Sequence, residues 1–216
     1  GIPMTQQMLM IVSDELLKAV SNYYESGEYV KPFRSKDLAD CVVQHSAAVG
    51  ISAMGAGILP GAGAVISVGV ATAAIWRMYV KICQIIGVPF GKNKLKAFAS
   101  AVLTNIATQL AAVYATQVAT SFIPGVGVIT GGVVNFAATY FAGLIFLMVL
   151  TKLFKANRQD VETMTDAEVA ASIKEAFSNI DKKAVFKEAK NLFTSMRKDG
   201  SLNEVGKDVD ISDEDI

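Results

Sequence analysis

Charge is what this sequence lacks over its longest stretches. No Asp, Glu, Lys or Arg occurs in the fifty-five residues from 97 to 151, and none from 41 to 76. A chain that meets water puts ionic groups on whatever side is wet, so runs of this length exclude an ordinary solvated surface. Cysteine is scarce as well. Cys41 and Cys83 cannot make a disulfide framework, and neither has His or Cys at metal-ligand spacing, so both are expected to be reduced core or interface residues. His45 is the only histidine; Asp37 and Asp40 are the only acids near it in sequence, and no elbow serine is present. It is expected as a packed or membrane-boundary polar residue rather than a general base. Basic and acidic residues number twenty each, which excludes the cationic excess that nucleic acid demands. The first residues lack a basic segment leading into an apolar one, so no secretory signal is read and the start is expected to face the cytoplasm.

Catalytic patterns are missing too. Residues 87–93 resemble a phosphate loop in having glycines and a lysine, yet only three residues separate Gly87 from Gly91 and Asn93 stands where Ser or Thr belongs. Gly125 and Gly127 are followed by Gly131, four positions on, which breaks the dinucleotide fingerprint. Aligning Gly200 with the sixth position of a calcium loop puts Gly206 at the twelfth, where a bidentate acid is required. Glu162, Asp166 and Glu168 suit a helix start, not a catalytic pair. The chain is therefore expected to be no enzyme, with no catalytic residue, cofactor or metal.

What is present is apolar and periodic. At 52% the hydrophobic share exceeds that of typical soluble chains, and mean hydropathy is +0.39. Residues 97–122 and 125–150 would each make a helix of roughly 39 Å, enough for a hydrocarbon layer of roughly 30 Å. Between them lies Ile123-Pro-Gly-Val-Gly127, and a similar break, Leu59-Pro-Gly-Ala-Gly63, divides the earlier run sixty-four residues upstream. Pro60, Gly61, Pro124 and Gly125 are thus expected at the tips of two helical hairpins forming an internal repeat. After each tip the small residues keep register: Gly63, Ser67, Ala71 and Ala74 in the first copy, Gly127, Gly131, Asn135 and Ala138 in the second. Such faces let helices approach closely in lipid, although they also suit a tight soluble bundle. Residues 41–58 and 61–76 are short for full spans, so the first hairpin either crosses or re-enters. Asn105, Gln109, Thr116 and Thr120 form a polar stripe expected to make interhelical hydrogen bonds.

The flanks complete the organisation. Arg77, Lys81, Lys92, Lys94 and Lys96 lie between the two runs, and Lys152, Lys155 and Arg158 follow the second. With two hairpins these basic segments and both termini share one side, cytoplasmic by the positive-inside rule. Residues 1–40 are read as an amphipathic helical segment, 41–158 as the apolar hairpin domain, 159–198 as solvated cytosolic helices opening at Thr165-Asp-Ala-Glu-Val, and 199–216 as a disordered acidic tail. The fold class expected is all-α, a helical bundle with amphipathic flanking helices.

Three segments in order carry a likeness: Tyr79-Val-Lys-Ile-Cys-Gln-Ile-Ile-Gly-Val-Pro89, Lys94-Leu-Lys-Ala-Phe-Ala99, and Phe122-Ile-Pro-Gly-Val-Gly-Val-Ile-Thr-Gly-Gly-Val-Val-Asn-Phe-Ala-Ala-Thr-Tyr140. Together they resemble the DUF697, or YcjF-like, family of GTPase-associated bacterial membrane domains over roughly residues 50–150. The resemblance implies a helical, non-catalytic membrane module of the bacterial inner membrane that serves as a platform or anchor for a GTPase or other cytosolic partner. Membrane lipid and a second copy of the chain are the other partners expected, and nucleic acid is not. Two alternatives stay open on the residues alone, a soluble protein that inserts its hairpins and permeabilises a membrane, and a soluble helical-bundle binding protein.

Overall fold

A computed structural model describes residues 7–23, 33–55, 68–88, 90–110, 127–156 and 163–210. Among them the protein is all-helical, without strands. The eight helices are α1 (Gln7–Tyr23), α2 (Ser35–Gly55), α3 (Val68–Ile86), α4 (Lys92–Gln109), α5 (Gly127–Lys155), α6 (Asp166–Ser178), α7 (Lys182–Asp199) and α8 (Ser201–Gly206). The expected tips, Pro60, Gly61, Pro124 and Gly125, fall outside the described residues, as do Gly63, Ser67 and Arg158.

Helix ends follow local chemistry. At α6 the Thr165 hydroxyl accepts from the Glu168 amide at 3.1 Å while Glu168 reaches back to the Thr165 amide, a reciprocal box that satisfies two exposed donors. Asp181 caps α7 by accepting from the Ala184 amide at 3.1 Å. Gly200, at φ 80°, ends α7 and turns the chain directly into α8. Gly87, at φ 78°, closes α3, and the Val88 amide behind it donates to the Cys83 carbonyl at 3.0 Å.

The longest helix, α5, is the axis. Helices α1, α2, α3, α4, α6 and α7 all pack on it, and α2 makes the most extensive contact. Uncharged from Gly127 to Thr151, α5 has no face that prefers water, so every neighbour turns its apolar stripe inward. Leu9, Leu16 and Val20 do so from α1, Leu38 and Val42 from α2, and Ile75, Tyr79 and Ile82 from α3.

Two expectations about the flanks change here. Helices α6 and α7 do not stand apart as a cytosolic arm; Val169, Ile173 and Phe177 of α6, and Val185, Leu192 and Phe193 of α7, are buried in the core shared with α5. Both helices are amphipathic as their spacing predicts, but an apolar stripe of that width has to be covered, and α5 is the surface that covers it. The tail expected from residue 199 is helical from Ser201 to Gly206, where Leu202 is buried and Gly206 lies against the backbone of α2. Its acidic composition is interrupted by Leu202 and Val205, enough for one anchored turn, and residues 211–216 lie outside the described part.

Candidate functional site

The candidate is α5 together with what covers it. Within it Gly131–Lys155 is long and apolar enough to cross a membrane, with mean hydropathy 2.1 over its most apolar eighteen residues, yet 94% of that window is buried. A core helix of a water-soluble protein has the same composition, so length and hydropathy alone do not decide its surroundings.

Three of its polar side chains bond along the helix itself. Asn135 Nδ2 donates to the Gly131 carbonyl at 2.7 Å, Thr139 to the Asn135 carbonyl at 3.1 Å, and Thr151 to the Leu147 carbonyl at 2.7 Å. Each of these bonds closes one turn of α5 on itself. The stripe expected on α4 behaves likewise, with Gln109 Nε2 donating to Asn105 Oδ1 at 2.6 Å and Asn105 Nδ2 to the Ala101 carbonyl at 2.9 Å. Those bonds run within the helix rather than between helices, and Thr116 and Thr120 lie outside the described residues.

Close approach is made by glycines that the repeat does not single out. A Cβ at Gly143 would stand 2.6 Å from both methyl carbons of Val42, one at Gly132 would stand 2.7 Å from Met54 Cγ, and one at Gly50 would touch the Gly132 carbonyl at 3.3 Å. These three positions join α2 to α5. Gly131, Asn135 and Ala138 of the expected small-residue face are buried in α5, and Ala74 is buried in α3; Ala71 lies in α3 and Gly127 at the start of α5. The sequence signal for the real contact is the spacing of Gly132 and Gly143. Eleven residues are close to three full turns, so the two share one face.

Aromatic packing ties α3 and α4 to the same axis. Tyr79 stacks on Phe146 with centroids 3.9 Å apart, its hydroxyl donates to the Ala142 carbonyl at 2.8 Å, and Phe98 meets Phe146 edge-on at 5.8 Å.

The basic residues are brought to the rim. Lys152 pairs with Glu175 of α6 at 2.6 Å, and Lys155 pairs with Glu15 of α1 at 3.2 Å. Lys94 donates to the Met164 carbonyl, and Met164 in turn lines a cavity of about 270 Å³ with Lys152, Leu153 and Ala156. The start of α4 and the end of α5 therefore lie at the same end of the bundle. Arg77 pairs with Asp210 at 3.2 Å. Arg77 and Lys96 both lie 5.5 Å from the Trp76 ring centroid, and the indole N–H donates to the Lys92 carbonyl at 3.3 Å.

Among the described residues one carboxylate reaches the interior. Glu188 of α7 is 9% exposed and accepts from the Met8 amide at 2.9 Å, capping the first turn of α1 from another helix. Burial raises its carboxyl above the ordinary value, against the Met8 amide, which favours the charged form. The buried Tyr140 hydroxyl lies close to this carboxylate without meeting hydrogen-bond geometry among the described residues.

His45, the only histidine, lies one turn from Cys41 on α2. His45 Nδ1 is 2.7 Å from the Cys41 carbonyl one turn back, which commits that nitrogen as a donor. The Cys41 sulfur is 3.7 Å from the same ring, but both groups are buried on one helix, and a thiol sealed from water is a poor thiolate. Among the described residues no group of three His, Cys, Asp or Glu side chains could hold a metal ion. No protein-family model, curated protein or solved structure matches this chain.

Proposed function

We propose that this chain is a non-enzymatic, membrane-associated helical module, as its likeness to the DUF697 domains implies. Its uncharged axis is held under a cover of amphipathic helices and meets lipid when that cover is displaced. One observation carries the reading: Gly131–Lys155 combines membrane-grade hydropathy with 94% burial beneath helices that carry their charges outward. Asn135, Thr139 and Thr151 each place a donor on a carbonyl of α5 itself, and those three bonds persist whether protein or hydrocarbon surrounds the helix. In this reading the Pro-Gly breaks are hairpin tips, and the rim of lysines stays on the cytoplasmic side of a bacterial inner membrane. A GTPase or other cytosolic protein is the partner that the platform serves.

The depth of burial favours a second form of the same idea, in which the protein is soluble first and permeabilises the membrane on insertion. Among the described residues Ile11 is the one large apolar side chain left strongly exposed, at 53%, so those residues display no apolar girdle. Purified protein mixed with dye-loaded vesicles separates the cases. Association that survives a carbonate wash without dye release supports the platform, and dye release supports the inserting effector. Recovery wholly in the supernatant refutes both and leaves a soluble binding bundle.

A further inference from the structure

We propose that the corner between α3 and α4 is the face this protein lays on an anionic lipid surface. The inference rests on the membrane-associated reading and names which part of the molecule touches headgroups before any helix inserts. Not one Asp or Glu occurs from residue 41 to 159, and five of the eight cations in that stretch are Arg77, Lys81, Lys92, Lys94 and Lys96. The turn at Gly87 and the contact of Trp76 with Arg77, Lys96 and the Lys92 carbonyl fold Arg77, Lys92 and Lys96 onto one corner, and Lys81 stands one helical turn from Arg77 on α3, while Lys94 donates to the Met164 carbonyl. Arg77 is held by Asp210, an acid from elsewhere in the chain. Lys81 and Lys92 are exposed and make no ion pair among the described residues.

Beside these cations runs an apolar groove of about 410 Å³ lined by Val80, Cys83, Val88, Phe90, Lys92 and Leu95. No acid lines it. Phe90 and Val88 are half-buried on the turn itself, so the corner offers apolar side chains at the level of its lysines. Cations around a shallow apolar lip match a bilayer whose outer layer is anionic and whose next layer is hydrocarbon. Charge complementarity is the argument for this occupant: a neutral surface would gain nothing from Lys81, Lys92 and Lys96, whose own segment carries no acid, and an apolar protein partner would bury them without a counter-charge.

The test is co-flotation of the full chain with vesicles of phosphatidylcholine alone and of phosphatidylcholine with about a third phosphatidylglycerol. Each lysine near an anionic surface is worth about fivefold in binding, so Lys81→Gln with Lys92→Gln should weaken binding to anionic vesicles about 30-fold. Raising salt from about 0.1 M to 1 M should weaken the wild type similarly, as the screening length falls from about 10 Å to about 3 Å. The control Lys187→Gln with Lys190→Gln, on the exposed side of α7, should bind as the wild type does, and circular dichroism melts confirm that both variants fold. Equal binding to the two vesicle types, or anionic binding unchanged in the Lys81/Lys92 variant, overturns the corner while leaving membrane association standing. Failure to float with any vesicle overturns both readings, and capture by a poly-glutamate peptide in that case assigns the corner to an acidic protein instead.

Discussion

Replacing Gly143 with alanine tests whether the α2–α5 contact is as tight as its geometry states. An added Cβ stands 2.6 Å from both methyl carbons of Val42 and 3.2 Å from its Cβ, where carbon atoms normally keep about 3.4 Å or more. Val42 is fully buried, and a β-branched side chain in a helix has essentially one rotamer, so it cannot swing aside. The helices themselves must part. Overpacking of this kind costs about 1–3 kcal/mol, and the geometry argues for the upper end. Alanine returns about 1 kcal/mol through its better helix propensity, which leaves a net loss of about 1–2 kcal/mol. Val42→Ala alone removes two buried methyl groups and should cost about 2 kcal/mol with its cavity. In the double variant the new methyl enters the space the valine left. The two changes should therefore be less damaging together than their sum by about 2 kcal/mol, read from urea unfolding of the four proteins in the cycle. Additivity within about 0.5 kcal/mol, or a Gly143→Ala protein more stable than the wild type, would refute the close approach and with it the picture of α2 as the tightest cover of α5.

Two further expectations follow from single contacts. Glu188 has a folded-state carboxyl raised by burial, so its contribution to stability is fully present below the ordinary glutamate value and is lost as pH rises through the folded value; Glu188→Gln should thus resist urea better than the wild type at pH 7, with the gap closing as pH falls toward about 4.5. Comparing the two proteins across that range isolates this group, because Asp37 and Asp199, held low by hydrogen bonds from Arg34 and from Ser201, run the other way in both. At Gly206 a Cβ would meet the Ala48 amide nitrogen at 2.8 Å, an atom that no rotamer change can move; Gly206→Ala should free α8 from α2, seen as faster amide exchange and proteolytic nicking around residues 200–210 before any global melting.

Much of this architecture is legible in the residues and some is not, for definable reasons. Uncharged composition marks α5 as the element everything else depends on, and Thr165 with Glu168 announces the start of α6, because capping chemistry is local. The pairing of elements is not legible. Nothing in the spacing of Val169, Ile173 and Phe177 says whether that stripe lies on lipid, on a partner or on α5, since apolar surface is non-directional in what it accepts. Gly132 and Gly143 stay hidden because the repeat singles out the neighbouring Gly131 register, one position away around the helix. The glycine that matters is the one facing a bulky residue on another helix, and Val42 lies about a hundred residues distant. Glu188 reads in sequence as one more charge on a solvated helix, and only its meeting with the Met8 amide makes it structural.

What keeps the cover on α5 decides whether the axis can be released, and the visible ion pairs are the weaker part of it. Lys155–Glu15 and Lys152–Glu175 are exposed on both sides of each bridge, so each contributes about 0–1 kcal/mol and less in salt. The apolar stripes of α1 and α6 hold far more strongly, but hydrocarbon serves those stripes as well as α5 does, and amphipathic helices are stable lying in a bilayer interface. Contact with lipid therefore removes most of what apolar packing contributes to the cover and leaves the ion pairs, which become decisive only if made permanent. Their separations of 3.2 and 2.6 Å suit a zero-length carbodiimide, which would convert each bridge into an amide between cover and axis. Protein cross-linked in this way should still float with anionic vesicles through the α3–α4 corner, yet become extractable by carbonate and release no dye. Cross-linked protein that resists carbonate extraction as the untreated protein does would mean that α5 never has to shed α1 and α6, and the displaced-cover mechanism would have to be abandoned.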